Sequence, residues 1–215
     1  MKKKALLLFS GGQDSTTCLF WAINKYGKEN VSTVGFLYGQ KHSLEIEVAK
    51  NICKDLQIEH EIIDLSVIST LSKNALTDHE MKIEMKNGLP TTFVPGRNLM
   101  FLSFAAAIAY QKEITDIIIG VSQADFSGYP DCREDFILSM EKTLRYAMEF
   151  DFNIITPLMG LDKKQGWQLS DELGAFELIK EKTLTCYNGI IGKGCGECPS
   201  CELRNKGLEQ YIAKN

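Results

Sequence analysis

Short apolar runs alternate with stretches of helical period along most of the chain. Ala5, Leu6, Leu7, Leu8 and Phe9 form a run closed by two glycines, which predicts a buried strand. Residues 15–26 follow as a helix, with Asp14 or Ser15 as its N-cap and Gly27 just past its end. Residues 31–38, 61–65, 116–121 and 152–156 read as four more strands, the last stopped by Pro157. Leu44, Val48, Ala49, Ile52, Cys53 and Leu56 share one helical face; Phe136, Ile137, Met140, Leu144, Ala147 and Met148 share another. Residues 98–111 are apolar all round, as expected of a helix buried inside the domain. Residues 66–95 show no clean period. An excursion of that length is usually functional or covers an interface.

This alternation predicts an α/β fold, a doubly wound parallel five-stranded sheet with helices on both faces. Ligands of such sheets sit at the carboxyl ends of the strands. Residues 189–201 change character, being rich in glycine and cysteine with no room for a core. We therefore expect an α/β domain over residues 1–182 and a small module with a helix over 183–215.

At 215 residues the chain has ordinary apolar (44%) and charged (24%) fractions, which fit a globular protein without disorder. A net charge of −4 supplies no average basic surface for a nucleic-acid backbone. The basic and apolar start, Lys2-Lys3-Lys4 followed by residues 5–9, is too short for a secretory segment. No other apolar stretch reaches the roughly 20 residues of a membrane span. A soluble cytoplasmic protein is expected, with its seven cysteines as thiols or metal ligands rather than disulfides.

The chemistry starts at Phe9-Ser10-Gly11-Gly12-Gln13-Asp14-Ser15-Thr16-Thr17, a strand end, a glycine turn and a helix start. Backbone N–H groups in such a turn converge on an anion, and the helix N-terminus adds unpaired donors and a positive dipole end. All nine residues are candidates for nucleotide binding. Ser10, Asp14 and Ser15 are the candidate catalytic residues. Hydroxyls of Ser10, Ser15 and Thr16 would donate to phosphate; Asp14 would hold Mg2+ or fix the loop. A Walker loop is absent, because the nearest string, residues 189–194, has the wrong spacing and no hydroxyl. No Rossmann glycine triplet follows the first strand. A loop without a Walker lysine suits pyrophosphate as a leaving group, and so attack at the α-phosphorus of ATP with an adenylated intermediate.

Cys186, Cys195, Cys198 and Cys201 have the spacing C-x8-C-x2-C-x2-C, with glycines and Pro199 allowing tight turns. Four thiolates suit a closed structural Zn2+ site, and an iron–sulfur cluster is the rival. Cys18 and Cys53 lie in helical patterns and read as core; Cys132 lies in a polar segment. Three polar segments meet the expected ligand edge: residues 38–42, 93–98 and 120–133. They supply the candidate substrate residues Tyr38, Gln40, Arg97, Gln123, Asp125, Phe126, Tyr129, Asp131 and Arg133. Aromatics such as Phe126 and Tyr129 would stack on a flat ring. Asp125 or Asp131 would accept from a guanine-like edge, and Arg97 or Arg133 would pair with a carboxylate.

Together these strings resemble the 7-cyano-7-deazaguanine synthases of queuosine precursor biosynthesis, within the ATP-pyrophosphatase (PP-loop) group. The resemblance spans nearly the whole chain. Residues 185–189 and 194–201, Thr-Cys-Tyr-Asn-Gly and Gly-Cys-Gly-Glu-Cys-Pro-Ser-Cys, are its most specific strings. It implies an adenine-nucleotide alpha-hydrolase-like fold and ATP-dependent conversion of 7-carboxy-7-deazaguanine and ammonia to the nitrile, through adenylated carboxylate and amide. It also implies Mg2+, structural Zn2+ on the four cysteines, a homodimer, and no nucleic-acid or membrane partner. Lys41 stands where arginine is expected, and Lys163-Lys164-Gln165 where lysine-alanine-glutamate is usual. Two other functions fit the loop: a PP-loop tRNA thiolase, for which iron and sulfide would speak, and a non-catalytic nucleotide sensor.

Overall fold

The computed structural model describes residues 3–40, 44–71, 74–77, 81–86, 88–122 and 129–213. In chain order the elements are β1 (Ala5–Leu8), α1 (Gln13–Tyr26), β2 (Val31–Leu37), α2 (Leu44–Leu56), β3 (His60–Asp64) and α3 (Ile68–Leu71). Then come β4 (Met85–Lys86), β5 (Leu89–Pro90), α4 (Arg97–Gln111), β6 (Asp116–Ile118) and α5 (Glu134–Met148). The chain finishes with β7 (Asn153–Ile155), α6 (Lys163–Glu172), α7 (Phe176–Lys182) and α8 (Pro199–Ile212).

The main sheet has five parallel strands in the order β3-β2-β1-β6-β7. The chain builds outward from β1 to β3, then returns to the other side of β1 through β6. The strand order therefore reverses between β1 and β6, where a crevice opens at the carboxyl ends. β1 is buried at every position because both of its faces are covered. Leu6 and Leu8 enter the core under α4 and α5, with Val34, Leu102, Ala106, Ile137 and Leu144. Ala5, Leu7 and Phe9 point the other way, into the core with Cys18, Leu19, Ala22, Val48, Ala49 and Ile52. Period-two alternation thus distributes one apolar strand between two layers.

Several expectations need correction. α1 begins at Gln13 with Gly12 as N-cap and no side-chain cap, so neither Asp14 nor Ser15 caps it. α4 is not buried all round: Leu99, Phe104 and Tyr110 are exposed along one side. The third strand starts one residue earlier, and the fourth ends at Ile118. The excursion over 66–95 carries α3 and an antiparallel hairpin of β4 and β5. Helices α6 and α7 were not foreseen. Their apolar faces close a smaller cluster around Trp167, Ala175 and Ile179.

The segment after residue 183 shares the core of the sheet. Leu184, Cys186, Cys198 and Cys201 pack in the same cluster as α1 and α2. Arg204 of α8, 1% exposed, donates to the carbonyls of Ile179 and Lys180 at 2.9 and 3.0 Å. The indole N–H of Trp167 donates to the Arg204 carbonyl at 3.1 Å.

Candidate active site

A cavity of about 970 Å³ opens at the reversal point between β1 and β6. Phe9, Ser10, Gly12, Gln13, Asp14 and Ser15 form one wall. Ser10 and Ser15 hold the turn together, their hydroxyl oxygens 3.1 Å apart, and Ser15 Oγ accepts from the Ser10 N–H at 3.3 Å. Leu184 N–H donates to the Gly11 carbonyl at 3.1 Å, and Gln13 N–H to Thr185 Oγ1 at 3.2 Å. The N–H groups of Asp14 and Ser15 meet no acceptor among the described residues, so the start of α1 is open to an anion. Gly11, Thr16 and Thr17 do not line the cavity. Thr16 is fully buried, so its hydroxyl is no donor to a ligand there, and Thr17 bonds the Gln13 carbonyl and Ser170.

Asp14 meets Lys163, the first residue of α6, whose Nζ lies 2.8 and 2.7 Å from the two carboxylate oxygens. A capping box fixes that residue. Asp162 accepts from the Gln165 N–H at 2.8 Å, and Gln165 accepts from the Asp162 N–H at 2.9 Å. The loop thus has a lysine after all, delivered from a distant helix.

Aromatic rings and a cation line the same cavity. Arg97 lies 5.9 Å from the ring centroids of both Tyr38 and Tyr129. Phe101 stacks on Phe36 at 4.4 Å and tilts against Tyr38 at 5.6 Å. Tyr129 bonds Thr92 at 2.6 Å and stacks on Phe93. Gln40 and Arg133 also line the cavity; the Gln40 side chain folds back to accept from the Tyr38 N–H at 2.8 Å. Asp131 is absent from the wall. Its carboxylate accepts from the Asn98 N–H at 3.1 Å, anchoring the start of α4 beside Arg97. Gln123, Asp125 and Phe126 lie outside the described residues, as do Lys41 and His42.

Three lining residues were missed besides Lys163 and Thr185. Glu45 has no hydrogen-bond partner among the described residues, and burial pushes its carboxyl up to about 7 against the pull of Arg97. Burial, with Lys50 nearby, pushes His60 down to about 4. Tyr187 lines the cavity near Tyr129, and burial raises its pKa. Cys132 also reaches the cavity, but burial and then Asp131 push its thiol up to about 11, which keeps it protonated and a poor nucleophile.

The sulfurs of Cys186, Cys195, Cys198 and Cys201 all lie within 4.8 Å of one another. Cys195 and Cys201 are 3.9 Å apart, close to the roughly 3.8 Å that two thiolates take on a tetrahedral ion with bonds of about 2.3 Å. N–H donation from Glu197 and Cys198 brings Cys195 down to about 6, toward the thiolate a metal needs. Gly194, at φ +70°, leaves room for the cluster, since a Cβ there would collide with Cys201 Sγ. The donor set fits a metal ion.

The family model for queuosine biosynthesis protein QueC matches residues 4–212. A protein of Staphylococcus haemolyticus (strain JCSC1435) named 7-cyano-7-deazaguanine synthase is 58% identical over 212 residues, covering 98% of this chain and 94% of that one. One of the same name from Bacillus subtilis (strain 168) is 56% identical over 212 residues, covering 98% and 96%. Among solved structures, the NH3-dependent NAD synthetase from Campylobacter jejuni subsp. jejuni NCTC 11168 in complex with the nitrate ion superposes with a TM-score of 0.51. It is 18% identical and covers 83% of this chain and 67% of that one. The U34-tRNA thiolase NcsA from Methanococcus maripaludis with its 4Fe-4S cluster also scores 0.51, at 17% identity, covering 98% and 65%. These two share the fold. The sequence relatives go further: this chain belongs to the family of the queuosine biosynthesis protein QueC.

Proposed function

We propose that the chain is an ATP-dependent ligase converting 7-carboxy-7-deazaguanine and ammonia to 7-cyano-7-deazaguanine. The observation that carries this reading is one cavity lined both by the open start of α1 and by Arg97 with Tyr38 and Tyr129 beside it. A nucleotide phosphate suits the first and a flat, anionic heterocycle the second.

In this reading a substrate carboxylate oxygen attacks the α-phosphorus of ATP, and the bond to the bridging oxygen breaks, releasing pyrophosphate. Ammonia adds to the acyl carbon, AMP leaves, and a proton is lost, giving the amide. The amide oxygen is then adenylated by a second ATP. Loss of AMP and two N–H protons gives the nitrile. Ser10, Ser15 and the N–H groups at the start of α1 hold the phosphates, and Lys163 balances their charge. Asp14 is the carboxylate that would hold Mg2+ with the phosphates, which requires Lys163 to release it. Tyr38, Tyr129 and Arg97 flank the heterocycle. Zn2+ on the four cysteines has a structural role. Residues 1–182 carry the glycine turn and most of the cavity, and residues 183–213 brace it and complete its lining. The exposed Leu99, Phe104 and Tyr110 on α4 and Leu138 and Tyr146 on α5 support a homodimer. No helix among the described residues is long and apolar enough to cross a membrane, and we place the enzyme in the cytoplasm.

The test is incubation with ATP, Mg2+, ammonium and 7-carboxy-7-deazaguanine. Nitrile and AMP should appear together. ADP without AMP would sink the adenylation chemistry, and tightly bound iron with sulfide would favour the thiolase alternative.

A further inference from the structure

We propose that Thr185 is a phosphate-binding residue, its hydroxyl donating to the pyrophosphate portion of the nucleotide. The proposal rests on the ATP reading above and adds a donor from outside the glycine turn.

Thr185 stands immediately before the cysteine cluster and lines the cavity beside Gly12, Asp14 and Ser15. Its Oγ1 accepts from the Gln13 N–H at 3.2 Å and from an Arg204 guanidinium N–H at 2.9 Å. A hydroxyl oxygen has two lone pairs and one proton. Both neighbours can only donate, so both lone pairs are taken. The proton must be donated, and no acceptor for it exists among the described residues. Thr185 is half-buried and lines the cavity. An O–H with no protein acceptor, beside the unpaired N–H groups of Asp14 and Ser15, is a third donor aimed at one anion.

The surroundings hold this donor still. The same Arg204 nitrogen also donates to Thr183 Oγ1 at 2.8 Å, and the other terminal nitrogen is held by the Ile179 and Lys180 carbonyls. The guanidinium packs on Trp167, 5.3 Å from its ring. Its charge polarises the hydroxyl, which strengthens donation to phosphate oxygen. Arg204 sits one helical turn beyond Cys201, so the cluster and the donor share one scaffold.

Two measurements test this. A crystal structure of the full-length protein with Mg2+ and pyrophosphate should place a phosphate oxygen about 3 Å from Thr185 Oγ1. Titration calorimetry with pyrophosphate should show Thr185→Val binding roughly 10- to 100-fold more weakly, with Thr185→Ser close to wild type. Adenosine affinity should be the same in all three. A pyrophosphate-bound structure with no phosphate oxygen within reach of Thr185 overturns the proposal, as does equal pyrophosphate affinity in wild type and Thr185→Val. Either result leaves the ATP reading standing. A wild-type protein that binds neither ATP nor pyrophosphate overturns both. Because the structure reads the contact directly, the test survives a Thr185→Val variant that folds poorly.

Discussion

Lys163 grips both carboxylate oxygens of Asp14, at 2.8 and 2.7 Å, although 149 positions separate them. The lysine is 11% exposed and the aspartate 38%, so the pair sits at the cavity wall. In the proposed site an unpaired Asp14 would oppose the charge of the phosphates; Lys163 neutralises it here, and once Mg2+ takes the carboxylate the lysine is left at the cavity wall to face the ligand. Lys163→Met should lower kcat/KM for ATP by roughly 100- to 1000-fold with metal content unchanged. Lys163→Arg should recover part of it. A steady-state AMP assay decides, and a Lys163→Met enzyme within threefold of wild type refutes the role.

Gly207 sets where Lys163 stands. A Cβ on Gly207 would come within 2.5 Å of Lys163 Cβ and 2.9 Å of its carbonyl carbon. α8 packs this closely on the start of α6 only because that hydrogen is not a methyl. Gly207→Ala should cost about 1–3 kcal/mol by overpacking and weaken ATP binding by shifting Lys163. Urea denaturation and nucleotide titration check the two effects separately.

The cluster of four cysteines should make the fold metal-dependent. Cys198→Ser should lose bound zinc and melt at a lower temperature, measured by elemental analysis and calorimetry. A variant with full zinc and an unchanged Tm removes the structural claim.

Arg97 should act on the heterocycle and not on ATP. Arg97→Ala should raise KM for 7-carboxy-7-deazaguanine by tenfold or more and leave KM for ATP within about threefold. The reverse pattern would assign Arg97 to the nucleotide.

Acid should weaken the fold through His60. Its pKa falls from 6.5 to about 4 in the folded protein, chiefly by burial. Between those values the unfolded chain binds a proton that the folded chain refuses, so stability drops as pH falls from 6.5 toward 4. Glu45 works in the opposite sense. Its raised pKa makes the folded state hold a proton between 4.5 and about 7, a contribution lost as pH rises through 7. Measured in a Glu45→Gln background, His60→Gln should flatten the acid limb. An equally steep limb assigns it to other groups.

Much of the fold was readable along the chain. The strand run at residues 5–9, the turn at Ser10-Gly11-Gly12 and the face of α2 follow from local pattern, and the structure has them. Cys18 and Cys53 are buried core residues, as their helical positions implied. α4 misled because Phe104 and Tyr110 look like core residues in one dimension, and only packing shows that both stay exposed among the described residues. α6 left a trace, the Asp162-Lys163-Lys164-Gln165 capping box, which signals a helix start and places Lys163 in its first turn. The trace does not say what the lysine faces.

The amino-acid sequence alone determined the glycine turn, the parallel alternation, the quartet of cysteines and the family resemblance. Each is a local string or a period, and local sterics and hydrogen bonding suffice to specify it. Only the tertiary structure decided that Lys163 and Thr185 reach the turn from 149 and 172 residues away, and that Asp131 braces α4 instead of lining the cavity. Periodicity records which face of an element is apolar. Which elements meet, and which polar group is left facing the cavity, is settled by packing alone.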